Sequence, residues 1–453
     1  MGNTPLYDAL RAYAGAHPLR MHMPGHKGRP LPAPELAAAE LDVTELPPTG
    51  DLFAGGDAIE AAEALWAEAL RMDRCLFLTG GSTQGVQAAL ALACRPGEAV
   101  LLDRGSHRAA YNALALLDLR PVYLERPWLP EAGVAGPIPP AAVEAALSAR
   151  PDIKTVCITS PTYYGVLSDI PALSAVCRAR GAALVVDGAH GAHLPFLGNF
   201  DLSAADLAVV SAHKTLPALG QSALLLAGRG SPFPQEGLRW AASLTGSSSP
   251  SYLLMASLDL CRAYMEGAGG AAYRETAAQV AALRRDYPAL TGADAPLDPA
   301  RFVLRCPDGF AAQARLEAMG VWPEMADAGH VVFLPTCADA AEQFSRLRSA
   351  LDSLPLGPCP PLPPPPPLPE QVRTPRQALF SPRELLPLAD AEGRAAAQQA
   401  APYPPGVPVL APGERICKKT IAYLEKIGYN IREDFAVLPQ SVCVTSHRPR
   451  APF

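Results

Sequence analysis

Four short segments carry residue types that suit one another chemically. Lys214 closes Ser211-Ala212-His213-Lys214, directly after the apolar run LAVV. Partly desolvated at a strand's end, a lysine loses basicity and suits imine chemistry with a carbonyl. A surface lysine at a strand terminus fits the same position. Asp187 ends AALVVD, where a carboxylate serves as metal ligand, general base, partner to a cationic ring nitrogen, or cap of the following turn. Thr79-Gly80-Gly81-Ser82-Thr83 is a small-residue turn that exposes N–H groups and hydroxyls at a helix start, a geometry that favours a phosphate. A plain turn with a serine cap explains it equally well, and it is neither a Walker A loop nor GxGxxG. His107, in LLDRGSH, offers an imidazole face, a general acid or a helix cap.

The elements around these segments repeat one pattern. CLFLTGGST leads into QGVQAALALAC, EAVLLDRGSH into RAAYNALALL, and TVCITSPTYYG into DIPALSAVCRARG, with AALVVDGAHGAH and LAVVSAHK after them. Buried strands alternating with helices predict an α/β fold, a mostly parallel sheet with helices on both faces. Ligands bind such sheets beyond the carboxyl ends of the strands, where the polar residues cluster here. In AIEAAEALWAEALRM, Ile59, Ala62, Leu65, Trp66, Ala69 and Leu70 form one helical stripe. Pro250 to Tyr264 reads as a long apolar helix, PVLAPGE as strand-like, and ERICKKTIAYLEKIG as a helix. Ahead of these, Pro5 to Ala14 reads as a short helix on an extended arm.

Taken in order, an anion turn, a strand-end His, a strand-end Asp and a strand-end Lys are the parts that pyridoxal phosphate requires. A metal reading of Asp187, His190, His193 and His213 lacks HExxH spacing, and Gly188 and Gly191 argue against a helix that would align the histidines. His22 and His26 are separated by Pro24-Gly25, which breaks any helical face, so no metal is expected.

Composition narrows the class. The 453 residues carry 38 Lys+Arg against 44 Asp+Glu, a net charge of −6 that disfavours a nucleic-acid binder working through a basic face. At 49% hydrophobic and 18% charged, the chain can bury real cores. It has no apolar run long enough to span a membrane. The opening MGNTPLYDALRAYAG lacks signal-peptide order, so a cytoplasmic location is expected. Ten scattered cysteines without CxxC read as reduced, buried thiols. Of the 50 prolines, ten fall among the fifteen residues 355–369, a stiff extended connector.

Longer motifs then point to a family. HMPGHKGR (His22 to Arg29), DVTELPPTGDL (Asp42 to Leu52), GGSTQGVQAAL, RGSHRAAYNAL, TSPTYYGVLSDI, VVDGAHGAH, SAHKTLPALGQSALL and SSSPSYLLMASLD resemble the bacterial ornithine/lysine/arginine decarboxylases. PYPPGVPVLAPGE (Pro402 to Glu414) is similar to that family's C-terminal domain, and the match resembles the short form without a receiver-like N-terminal domain. The resemblance implies a fold-type I, aspartate aminotransferase-like α/β fold with smaller α+β C-terminal domains. The expected organisation is an arm (1–56), a cofactor-binding major domain (57–286), a small α/β domain (287–354), the proline-rich connector (355–372) and a C-terminal domain (373–453).

By resemblance, Lys214 carries pyridoxal phosphate, Asp187 partners the pyridine nitrogen and His107 stacks on the ring. Ser82, Thr83 and Ser211 hold the phosphate, with His213 and His190 beside the cofactor. Ser249 is expected to reach a neighbouring subunit's site and Glu414 to shape the pocket mouth, in a homodimer or larger assembly with shared active sites. The implied reaction is decarboxylation of a basic amino acid, with arginine the first choice, then lysine or ornithine. Glu45, Asp51 and Glu414 are the candidate carboxylates for the substrate's side chain. An aminotransferase or β-eliminating lyase uses the same Asp–Lys apparatus, and a non-catalytic scaffold would use the proline run for SH3- or WW-like partners. Two departures stand out: Gly188 replaces the acidic residue often found after the Asp, and the run Pro363 to Pro367 is longer than the family's usual connector.

Overall fold

The computed structural model describes residues 19–21, 50–55, 57–198, 200–402 and 407–439. Its apolar runs become seven strands of one sheet: β1 (Arg74–Leu78), β2 (Ala99–Asp103), β3 (Arg120–Leu124), β4 (Thr155–Thr159), β5 (Ala183–Asp187), β6 (Leu207–Val210) and β7 (Ala223–Ala227). They lie in the order β1-β7-β6-β5-β4-β2-β3. β7 is antiparallel to both neighbours and every other pair is parallel. Six strands therefore point the same way and present their carboxyl ends along one rim. β2, β6 and β7 are buried at every position, which is why they read as unbroken apolar runs.

Helices α1 (Asp57–Ala69), α2 (Gly81–Ala93), α3 (Arg108–Leu116), α4 (Pro140–Ala149) and α5 (Ile170–Ala179) cover this sheet. On α1 the expected stripe is corrected at one position. Ile59, Ala62, Trp66 and Leu70 are buried, but Leu65 is 42% exposed. The helix instead turns Glu63 inward, where its carboxylate accepts from the Phe77 N–H at 2.9 Å and from Arg239 at 2.8 Å. The apolar helix begins at Tyr252 rather than Pro250, with Ser251 as its cap. It continues through a wider turn, Met265–Gly269, into a further helix, Gly270–Asp286.

A second core gathers around an antiparallel sheet of β8 (Phe302–Arg305), β9 (Met325–Ala326) and β10 (His330–Phe333), in the order β8-β10-β9. Leu19–Met21 pairs in parallel with Val321–Pro323 and buries Leu19 and Met21 in the same core. Residues 355–370 form neither helix nor strand. A third core, around Leu388, Leu410, Ile416, Leu424 and Phe435, follows. There PVLAPGE makes only isolated bridges, Ala400 with Leu410 and Gln371 with Glu414, because Pro408 and Pro412 supply no N–H to a ladder. The helix after it is shorter than the sequence pattern, Lys418–Lys426, bounded by extended Cys417 and by Gly428 at φ +80°. Among the described residues no helix is long and apolar enough to cross a membrane.

Candidate active site

The chemistry-bearing residues meet on the rim of strand ends. β6 ends at Val210, and Ser211 caps the one-turn helix Ala212–Thr215 that holds His213 and Lys214. Ser211 makes no capping bond, and its Oγ is buried without a hydrogen-bond partner. The Lys214 Nζ lies 3.1 Å from His190 Nε2. Burial pulls the Lys214 amine below the usual lysine range and Arg301 adds to the effect, while Asp187 and Glu324 oppose it. Asp187, 5% exposed at the end of β5, has its carboxyl pushed up by burial and held down by Lys214 and by the Ala189 N–H. That N–H reaches Oδ1 at 3.1 Å, so the turn-cap role and the site position coincide.

Three histidines here, His107, His190 and His213, are held toward the neutral form. Burial, Lys214 and Arg301 push His190 well down, and its Nδ1 is buried without a partner. His213 is lowered by burial, while the Ser222 carbonyl, 3.0 Å from its Nδ1, and Lys214 act in opposite directions. His107 is pulled down to about 4 by desolvation, then by Lys214 and Arg108. It caps α3, its Nδ1 accepting from the Ala109 N–H at 3.2 Å, and the residue is exposed. At the start of α2 the cap position is Gly80, which makes no side-chain bond. A serine cap is thereby ruled out, and the Ser82 and Thr83 hydroxyls stay on the first turn.

Other expected residues are engaged elsewhere or stand exposed. Glu414 is fully buried and bound bidentately by Arg104, at 2.5 and 2.9 Å, with the Ala411 N–H at 2.7 Å. It is thus an internal ion pair and not an open carboxylate at a pocket mouth. Asp51 accepts from the Phe53 and Ala54 N–H groups as a turn cap. Ser249 is exposed in the loop before Tyr252. His193 turns to Asp298, 2.9 Å away and 1% exposed. The Pro5 to Ala14 helix, His22, His26, Glu45 and Cys443 fall outside the described residues. At Gly188 an added Cβ would stand 3.2 Å from the Val209 carbonyl oxygen, to which the Gly188 N–H already donates at 2.8 Å.

Sequence reasoning missed residues brought in from elsewhere. Tyr163 packs on His190 with ring centroids 4.4 Å apart, and its hydroxyl donates to Glu324 at 2.7 Å. Arg301, 1% exposed, donates to the Tyr163 carbonyl at 3.2 Å. Tyr163 follows β4 as the other site residues follow their strands, a signal that was available. Glu324 and Arg301 come from the second core, more than a hundred residues downstream, where no local pattern marks them.

The helix-covered, seven-stranded sheet with one reversed strand is a fold that many solved structures share. Lysine decarboxylase A from Pseudomonas aeruginosa superposes with a TM-score of 0.73 at 18% identity, covering 96% of this chain and 76% of that one. The constitutive lysine decarboxylase of E. coli gives 0.72 at 18% identity, covering 88% and 73%. In sequence, residues 4–294 match the Orn/Lys/Arg decarboxylase major domain and residues 367–434 its C-terminal domain. The chain belongs to the Orn/Lys/Arg decarboxylase family, and is an amino-acid decarboxylase of the pyridoxal-phosphate-dependent kind. It is 28% identical to an arginine decarboxylase of Halalkalibacterium halodurans over 93% of each chain, and 30% identical to the uncharacterized protein YaaO of Bacillus subtilis over 94% of each.

Proposed function

We propose that the chain decarboxylates a basic amino acid, arginine before lysine or ornithine, with pyridoxal phosphate held by Lys214. The observation that carries this reading is the juxtaposition of Lys214 with Asp187 and His190 beside the orphaned Ser211 Oγ. That hydroxyl, the Ser82 and Thr83 hydroxyls and the uncapped start of α2 fit a phosphate. Asp187 fits a cationic ring nitrogen, because a buried carboxylate is stabilised by a positive partner. Under this reading His107, an exposed residue, stacks on the ring. When bound, the cofactor supplies an electron sink for the pair left as the substrate's carboxylate departs as CO2.

The protein's own groups do the rest. Asp187 keeps its partner's proton in place, so the site stays electron-withdrawing at that end. Lys214, with His190 at 3.1 Å from its amine, and His213 are the groups to which this reading assigns return of a proton to the substrate's Cα. The choice of arginine draws support from relatives named arginine decarboxylase. We further infer a homodimer or larger assembly in which subunits share active sites. The test is production of amine and CO2 from arginine, lysine and ornithine in separate reactions, with Lys214→Ala as control. Agmatine from arginine, absent in the variant, is the expected result. Formation of the pyridoxamine form of the cofactor without CO2 would overturn decarboxylation in favour of transamination.

A further inference from the structure

The contacts of Lys214 continue outward in one chain. Its amine meets His190 Nε2 at 3.1 Å, the His190 ring packs on Tyr163 at 4.4 Å, and the Tyr163 hydroxyl donates to Glu324 at 2.7 Å. Glu324 is anchored in turn, its N–H donating to the Val332 carbonyl at 2.9 Å on β10. Arg301, the residue just before β8, also holds the Tyr163 backbone. Two residues of the second core thus grip the segment after β4 that supports the His190 imidazole. That imidazole has little else to hold it, since its Nδ1 is buried without a partner.

We propose that Tyr163 and Glu324 are positioning residues for the reaction: Glu324 fixes the Tyr163 phenol, the phenol ring fixes His190, and His190 parks the Lys214 amine whenever that amine is not joined to the cofactor. The inference rests on Lys214 being the cofactor lysine. The physical need is plain. A substrate amine takes the place of the lysine amine and the lysine must later return to release product. A free lysine side chain carries about 2 kcal/mol of rotamer entropy, so an amine left to wander returns slowly. The imidazole suits this task because it is kept neutral, and a neutral ring accepts from an amine N–H through Nε2.

The test reads the amine itself. In the cofactor-stripped, full-length protein, the plateau rate of Lys214 acetylation at high pH is measured by mass spectrometry, with Lys154 as internal reference. Tyr163→Leu, which removes the ring, is expected to raise that rate severalfold. Tyr163→Phe and Glu324→Ala, which cut the link but leave the ring, should give intermediate values, and Glu324→Gln, which still accepts from the phenol, should restore the wild-type rate. In the holoenzyme Tyr163→Leu should lower kcat about tenfold with KM nearly unchanged, the signature of lost positioning. Equal Lys214 rates in wild type, Tyr163→Leu and Glu324→Ala would overturn the proposal. Should Tyr163→Leu fail to fold, Glu324→Ala against Glu324→Gln decides the matter. A cofactor found on a lysine other than Lys214 would instead overturn the reading beneath it.

Discussion

At the scale of single residues, the site depends on charges kept where water would not leave them. Asp187 sits 5% exposed between Lys214 and the Ala189 N–H, so its negative charge has a task only with a cationic partner in place. Asp187→Asn keeps the shape and removes the charge, and steady-state kinetics should show kcat/KM falling by about 10²- to 10³-fold, the range for losing one preorganised electrostatic group. His107 supplies the pH prediction. Its folded-state value of about 4 lies below the ordinary 6.5, so the unfolded chain binds the extra proton in that window. Its contribution to stability is present above pH 6.5 and is lost as pH falls toward 4. Denaturant melts of wild type and His107→Gln should therefore diverge between pH 6.5 and 4, with wild type showing the steeper loss on acidification. Parallel profiles would show that His107 titrates normally.

At the scale of elements, helix α2 is seated on the sheet by a missing side chain. An added Cβ at Gly85 would lie 2.5 Å from Val209 Cγ1 and 2.7 Å from Leu78 Cδ1. Gly85→Ala should cost about 1–3 kcal/mol by overpacking and weaken cofactor affinity by lifting Ser82 and Thr83 off the rim, read from the urea midpoint and a cofactor titration. This element was only partly legible beforehand. LAVV, AALVVD and LLD announce buried strands because period and composition are local properties, so the strand ends carrying His107, Asp187 and Lys214 stood out. Strand order and the reversal of β7 did not, since ALLLA is as apolar as the six strands that run the other way and nothing local records direction. PVLAPGE misled because apolar alternation outweighed two prolines that remove ladder donors. Glu63 was hidden for a similar reason: a charged residue on an apolar stripe reads as solvated until its partner Arg239, far along the chain, is brought beside it.

At the scale of the whole molecule, the cores are joined by buried polar bonds that also steady the site. The Arg104–Glu414 pair ties the C-terminal core to the turn after β2, three residues ahead of His107, and Arg104 also donates to the Val409 carbonyl at 2.8 Å. Tyr111 reinforces the same turn by donating to the Arg104 carbonyl at 2.8 Å. Glu414→Ala would strand a guanidinium that is largely out of water, so a loss of about 3 kcal/mol in thermal or denaturant melts is expected, together with weaker cofactor retention. Unchanged stability would show that this pair does no more than an exposed one. The family's C-terminal motif thus acts here through an arginine of the major domain, which no spacing along the chain foretold.

The claim on which everything else rests is that the strand-end rim is built around Lys214 as the carrier of pyridoxal phosphate. The most direct test is to load the full-length protein with pyridoxal phosphate, reduce it with borohydride and map the modified peptide by mass spectrometry. The structure predicts a single phosphopyridoxyl group on Lys214. A group on Lys154, Lys418 or Lys426 instead, or none on a folded protein, would contradict it.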